Sequence, residues 1–138
     1  MRLLGLDVGT KRIGVALSDM LLITAQGLDT IERHDLKSDI DRIKKLVEEN
    51  SVTEIVVGLP LNMSGTYSAM TKEVVGFIDN LSSAVSVPVK TWDERLTSMQ
   101  AERIMLESDM SRHKRKRLSD KIAAQIILQS YMGSIRKG

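Results

Sequence analysis

The pattern of apolar and polar positions along this chain predicts three successive strands, followed by strands and helices in alternation. The run Leu3–Val8 leaves no polar face apart from Asp7, which indicates a central strand covered on both sides. The short apolar run Glu54–Leu59 stops at Pro60 and predicts another strand. The predicted elements beyond the first two strands are strands at about 24–32, 54–59 and 85–92, and helices at about 36–47, 68–81, 97–107 and 118–131.

This order, β-β-β-α-β-α-β-α-α, predicts an α/β fold with a mixed sheet. Three strands in succession are typical of an antiparallel meander, and the later alternation predicts two parallel strands reached by right-handed crossovers. Helices would then cover both faces of the sheet. The sequence shows no repeat, low-complexity tract or linker, so we expect residues 1–138 to form a single domain.

Composition narrows the function classes. Apolar residues make up 42% and charged residues 28%, as in ordinary globular proteins, but only 3% are aromatic, which argues against binding by a row of stacking aromatics. The lack of cysteine excludes disulfides, thiolate metal sites and cysteine nucleophiles. The sequence has no apolar run of about 18 residues and no signal-peptide pattern, so we expect a cytoplasmic protein without a membrane partner.

Charge is distributed unevenly along the chain. Residues 110–138 carry eight Lys/Arg against one acid, whereas the first 109 residues carry twelve against seventeen acids. The block Lys114, Arg115, Lys116 and Arg117 is dense enough to indicate a polyanionic partner such as nucleic acid. A solvated helix face would explain the block equally well on its own. Its position just before Asp120 favours the nucleic-acid interpretation.

Acidic residues fall at the ends of predicted elements. Asp7 ends the first strand, Asp93 and Glu94 end the last strand, and Asp120 opens the final helix. If the first and last strands are parallel, their carboxyl ends reach one edge of the sheet. Carboxylates without cysteine or a histidine cluster favour Mg²⁺ or Mn²⁺, and two such ions can support phosphodiester cleavage. The structural alternative is a capped turn at Asp7, an Asp93–Arg95 ion pair and a helix cap at Asp120.

Four further polar residues are candidates for contact with substrate phosphates: Lys11, Arg12, Asn62 and Arg95. Lys11 and Arg12 could equally belong to an exposed hairpin turn, and Asn62 could serve its own loop. Arg95 could instead orient Glu94.

Four sequence blocks resemble the YqgF/RuvX family, and they span nearly the whole chain. These blocks are residues 6–19, 57–65, 93–98 and 120–128. The resemblance implies an RNase H-like fold with a five-stranded mixed sheet, metal-dependent endonuclease activity, and maturation of the 5′ end of pre-16S ribosomal RNA. It also implies that Asp7, the Asp93–Glu94 pair and Asp120 are the catalytic metal ligands.

One departure concerns the fourth strand. Nucleases of the wider RNase H-like group usually carry an acid at its end, where this chain has Gly58, Leu59 and Pro60. The Asp93–Glu94 pair could substitute for that acid, and the sequence leaves open which of the two is the ligand.

Several alternatives stay open at the level of sequence. The substrate could be pre-ribosomal RNA or branched DNA, as for a Holliday-junction resolvase, and cleavage of both strands of a symmetric junction would favour a homodimer. A non-catalytic RNA-binding assembly factor would keep the fold without the chemistry. The turn after Asp7 also resembles the first phosphate loop of sugar-kinase-type ATPases, but those proteins need two such domains to enclose a nucleotide.

Overall fold

The computed structural model describes residues 1–95 and 112–137, with side chains in the last helix given at 122–135. The strands are β1 Leu3–Val8, β2 Arg12–Ser18, β3 Ala25–Glu32, β4 Glu54–Leu59 and β5 Val89–Asp93. The helices are α1 Leu36–Glu49, α2 Ala69–Ala84 and α3 Arg112–Lys137. The helix predicted at 97–107 lies outside the described residues.

The five strands form one mixed sheet in the order β3-β2-β1-β4-β5. Strands β1, β2 and β3 pair antiparallel, whereas β1, β4 and β5 run parallel. This confirms the predicted meander with two added parallel strands. The carboxyl ends of β1, β4 and β5 therefore lie at one edge of the sheet.

Helices cover both faces of this sheet, as predicted. Helices α1 and α2 pack over one face, where Leu6, Ile43 and Phe77 belong to the same buried cluster. Helix α3 packs over the other face and buries Ala124 and Ile127. No helix in the described part of the chain is both long and apolar enough to cross a bilayer.

Small residues let α3 approach β1 closely. A Cβ atom at Gly5 would lie 2.9 Å from the Cβ atom of Leu128 and 3.2 Å from the carbonyl oxygen of Ala124. Any residue larger than glycine at position 5 would therefore push α3 away from the sheet.

Helix α2 is fixed to the end of β4. Ser68 and Thr71 form a capping box at its start, and the Thr71 hydroxyl also donates a hydrogen bond to the carbonyl oxygen of Pro60. The loop between β4 and α2 is thereby held at the carboxyl edge of the sheet.

Candidate active site

Asp7 lies on the face of the sheet that α3 covers. Side chains alternate along β1, with Leu4 and Leu6 in the core beneath α1 and α2 and Leu3 in the core beneath α3. Asp7 shares the face of Leu3, at the carboxyl end of the strand, where it is only partly buried. It is therefore placed at the sheet edge where sites are built in open α/β sheets.

Glu94 reaches Asp7 across β4. Strand β5 pairs with β4 so that Trp92 lies opposite Gly58, and the backbone N–H of Glu94 donates to the carbonyl oxygen of Leu59. A Cβ atom at Gly58 would lie 2.7 Å from both Cγ and Cδ of Glu94. The glycine therefore leaves the space through which the Glu94 side chain passes to form a hydrogen bond with the Asp7 carboxyl group.

The electrostatics of this pair favour a shared proton. Glu94 is 7% exposed, and its burial, followed by the negative charge of Asp7 and their hydrogen bond, raises the pKa of Glu94 to about 9. At neutral pH the Glu94 carboxyl is therefore neutral and donates to Asp7. Two carboxyl groups in such contact repel each other once both are ionised, unless a cation lies between them.

Asp93 is oriented differently from its neighbour Glu94. Its carboxylate accepts hydrogen bonds from Nε of Arg95 at 2.7 Å and from the Arg95 backbone N–H at 3.0 Å. The Arg95 hydrogen bonds and charge lower the pKa of Asp93. The structure therefore brings Glu94, and not Asp93, to Asp7, while Arg95 pairs with Asp93 instead of orienting Glu94.

The turn after Asp7 is a tight hairpin. The N–H of Gly9 donates to the carbonyl oxygen of Arg12 at 2.9 Å, and a Cβ atom on Gly9 would lie 2.8 Å from that oxygen, which excludes larger residues. Lys11 is exposed at the tip of this turn. Arg12 shares the face of Asp7, but its Nε donates to Glu32 at 3.1 Å and the side chain is mostly buried. Of the two residues in this turn that were predicted to contact phosphates, Lys11 is more accessible than Arg12.

A partly buried ion pair, which the sequence did not predict, holds this turn. Arg33 donates from Nη1 to the carbonyl oxygen of Gly9 at 2.9 Å and from Nε to Asp39 at 3.1 Å, and its guanidinium lies 5.3 Å from the centre of the Phe77 ring. Asp39 is 1% exposed. The turn beside Asp7 is thus connected to α1 through Asp39 and to α2 through Phe77. An Asp in the first turn of α1 was the only sequence signal, and it is common there for helix-dipole reasons.

Asn62 belongs to a small hairpin that follows β4. Its backbone N–H donates to the carbonyl oxygen of Thr66, its side-chain amide donates to the Thr66 hydroxyl at 3.0 Å, and its own carbonyl accepts from Gly65 N–H. Gly65 has φ +86, which favours glycine. Arg95 reaches this hairpin, because its Nη1 donates to the carbonyl oxygen of Met63 at 3.3 Å.

The remaining predicted residues lie on α3. Asp120 and the basic block 114–117 fall within the helix, but their side chains are outside the described set. Beyond Asp120, the side chains of Ala123, Ala124 and Ile127 are buried. The helix itself is therefore docked on the face that carries Asp7 and Glu94.

The described donors suit a hard divalent cation. Asp7 and Glu94 provide only carboxylate oxygens, and in the described ranges no group of three potential His, Cys, Asp or Glu ligands occurs. Asp120, on the α3 helix over the same face, is the further carboxylate that the sequence predicted for this site.

The fold is that of RNase H-like Holliday-junction resolvases. The structure matches Thermus thermophilus RuvC, solved in complex with a Holliday junction substrate, with a TM-score of 0.61 at 15% identity over 97% of both chains. It matches the fowlpox virus resolvase equally well, with a TM-score of 0.61 at 14% identity over 98% of this chain and 99% of that one. The sequence then specifies the family: residues 1–134 match the RuvX family, described as Holliday junction resolvase, and the chain belongs to that family.

More similar relatives cover nearly the whole chain. A Clostridium acetobutylicum protein is 53% identical over 135 residues, which are 98% of this chain and 100% of that protein. A Thermoanaerobacter pseudethanolicus protein is 50% identical over 97% of both. Both carry the name "Putative pre-16S rRNA nuclease". The predicted family, its RNase H-like fold and its class, phosphodiester-cleaving nucleases, are confirmed.

Proposed function

We propose that this chain is a divalent-metal-dependent endonuclease that cleaves structured nucleic acid, with the 5′ end of pre-16S ribosomal RNA as its substrate. The observation that supports the reaction is the Asp7–Glu94 pair, in which Glu94 passes over Gly58 and retains a proton at neutral pH. The names of the close relatives support the substrate.

In this proposal the carboxylates of Asp7, Glu94 and Asp120 bind two divalent ions, either Mg²⁺ or Mn²⁺. Bound cations of this kind activate water and stabilise the leaving oxygen of a phosphodiester. Glu94 takes the part of the acid that this chain lacks at the end of β4, since Gly58 gives its side chain access to Asp7. Asp93 acts indirectly, because it holds Arg95 against the Asn62 hairpin.

The nucleic acid would lie along the carboxyl edge of the sheet. We expect Lys11, exposed at the β1–β2 turn, and Arg95, beside the hairpin, to contact substrate phosphates. Asn62 lies between them along the edge, and Lys114, Arg115, Lys116 and Arg117 would extend the basic surface along α3. Arg12 is the weakest of the predicted contacts, because Glu32 already pairs with it.

A second candidate substrate is a four-way DNA junction. The family description and the fold shared with two junction resolvases favour it. Cutting both strands of a symmetric junction would require two active sites, and hence a homodimer.

Cleavage of a pre-16S RNA fragment and of a four-way DNA junction, measured side by side with Mg²⁺ and with EDTA, tests these proposals. We expect metal-dependent cleavage of the RNA fragment by the wild type. Asp7→Asn and Glu94→Gln should abolish cleavage while binding is retained, and Asp93→Asn should reduce it less. Cleavage in EDTA would contradict the metal site, and junction cleavage alone would favour the second substrate. Binding to RNA without any cleavage would favour the non-catalytic assembly factor.

A further inference from the structure

The hairpin between β4 and α2 carries exposed apolar side chains on a rigid frame. Leu61 and Tyr67 pair as an antiparallel bridge at its base, and Asn62, Ser64 and Thr66 are joined by side-chain hydrogen bonds of 2.9–3.0 Å. The polar side chains thus satisfy one another within the hairpin. Met63, in contrast, is 70% exposed at its tip.

Tyr67 differs from the other aromatic residues of this chain. The sequence contains four aromatic residues, and all four are described. Phe77 is buried under Arg33, and Trp92 and Tyr131 pack edge to face with centroids 6.0 Å apart. Tyr67 is 55% exposed, whereas Trp92 and Tyr131 are partly buried, so Tyr67 is the most exposed of the four aromatic rings.

The hairpin also lies beside the acidic pair. Its base follows the carboxyl end of β4, the strand that separates Asp7 from Glu94. Arg95 is the residue after Glu94, and its guanidinium donates to the Met63 carbonyl oxygen. The hairpin that carries the exposed ring and the thioether is therefore in contact with the residue that directly follows Glu94.

We propose that Tyr67 and Met63 form a docking surface for an unpaired base of the nucleic-acid substrate, with Tyr67 stacking on the base and Met63 packing against its edge. The inference rests on the proposed nuclease function and specifies its substrate class, which is nucleic acid with an unpaired nucleotide next to the cut. Aromatic rings bind exposed bases in this way because every base has a π-face, whereas paired bases in a helix are stacked already. Apolar side chains such as Met are also used to separate base steps.

Binding to two RNA probes in EDTA tests this surface: a duplex with one unpaired nucleotide and the same duplex fully paired. We expect Tyr67→Leu to weaken binding of the first probe about tenfold and of the second less than about twofold, because only the first offers an exposed base. Tyr67→Phe should bind like the wild type, since the ring is retained. DNA versions of both probes show whether the surface takes bases from RNA, from DNA or from both.

Leu21→Ala is the matched control, since Leu21 is 77% exposed on the β2–β3 hairpin at the opposite edge of the sheet. It should leave both affinities unchanged. Equal effects of Tyr67→Leu on the two probes, or no effect on either, would overturn the docking surface. These outcomes are independent of cleavage, so absent nuclease activity in the wild type would count against the proposed function alone.

Discussion

The carboxyl groups of Asp7 and Glu94 meet through a hydrogen bond over Gly58, although 86 residues separate them in sequence. The parallel pairing of β1, β4 and β5 brings the two strand ends together, and the glycine on the middle strand removes the side chain that would stand between them. Gly58 thus leaves the gap through which an acid from the neighbouring strand reaches Asp7.

Gly58→Ala should therefore reduce activity more than stability. The added Cβ would lie 2.5 Å from Cδ1 of Ile127 and 2.7 Å from Cδ of Glu94, and both are atoms of side chains that can move. We expect a loss of about 1–3 kcal/mol in the free energy of unfolding and about a hundredfold in cleavage rate, because Glu94 is displaced. Chemical denaturation and single-turnover cleavage measure the two effects.

Gly76→Ala is the control for Gly58→Ala. Gly76 lies within α2, and nothing would lie within 4 Å of a Cβ atom there. It should stabilise the protein by about 0.5–1 kcal/mol and leave cleavage unchanged. A Gly58→Ala protein with wild-type cleavage would show that Glu94 does not need the space above the glycine.

The raised pKa of Glu94 predicts that the metal-free protein loses stability as pH rises. The folded state keeps a proton that the unfolded state releases above about pH 4.5, so the free energy of unfolding falls between that pH and about 9. The slope is at most about 1.4 kcal/mol per pH unit. Glu94→Gln should remove this dependence and be more stable than the wild type at pH 8, as measured by urea unfolding in EDTA.

Glu73→Gln, which removes one exposed carboxylate on α2, serves as the control for that experiment. It should retain the pH dependence of the wild type. The same slope in Glu94→Gln as in the wild type would mean that another group carries the proton.

The sequence predicted the strands around the site well, because β1 and β4 are apolar runs bounded by turn residues. It could not decide between Asp93 and Glu94. Adjacent residues at a strand end point to opposite faces, and the register of β5 against β4 puts Trp92, and therefore Glu94, on the same face as Asp7. Gly58, an isolated glycine between apolar residues, was the available signal of a close approach at this position.

The ion pair between Arg33 and Asp39 could not be predicted from the sequence, for a different reason. Neither residue lies in a motif, and their contact depends on β3 ending beside the first turn of α1. Charged residues at strand and helix ends are usually solvated, so their burial follows from tertiary packing alone.

Arg33→Lys should loosen the turn beside Asp7. Lysine lacks the guanidinium fork that here contacts both the Gly9 carbonyl oxygen and Asp39, so one of the two contacts is lost. We expect the free energy of unfolding to fall by about 2–3 kcal/mol. We also expect a lower kcat with little change in KM, because the substitution disturbs the turn beside Asp7 and leaves the phosphate contacts in place. Lys45→Ala, which breaks an exposed pair with Glu49, should change stability by less than about 0.5 kcal/mol. Equal effects of the two variants would contradict a specific role of Arg33.

Replacing Lys114, Arg115, Lys116 and Arg117 with glutamine should weaken nucleic-acid binding and reduce its salt dependence. Each phosphate contact contributes about 0.7–0.9 to the slope of log affinity against log salt, because contact releases condensed cations. Glutamine substitution of Lys37, Lys44 and Lys45, which are exposed on α1 over the opposite face of the sheet, removes a similar charge away from α3. If the block on α3 contacts phosphates, only its replacement lowers the slope. An equal decrease in both variants would indicate a general effect of net charge, and an unchanged slope would mean that the block is merely solvated.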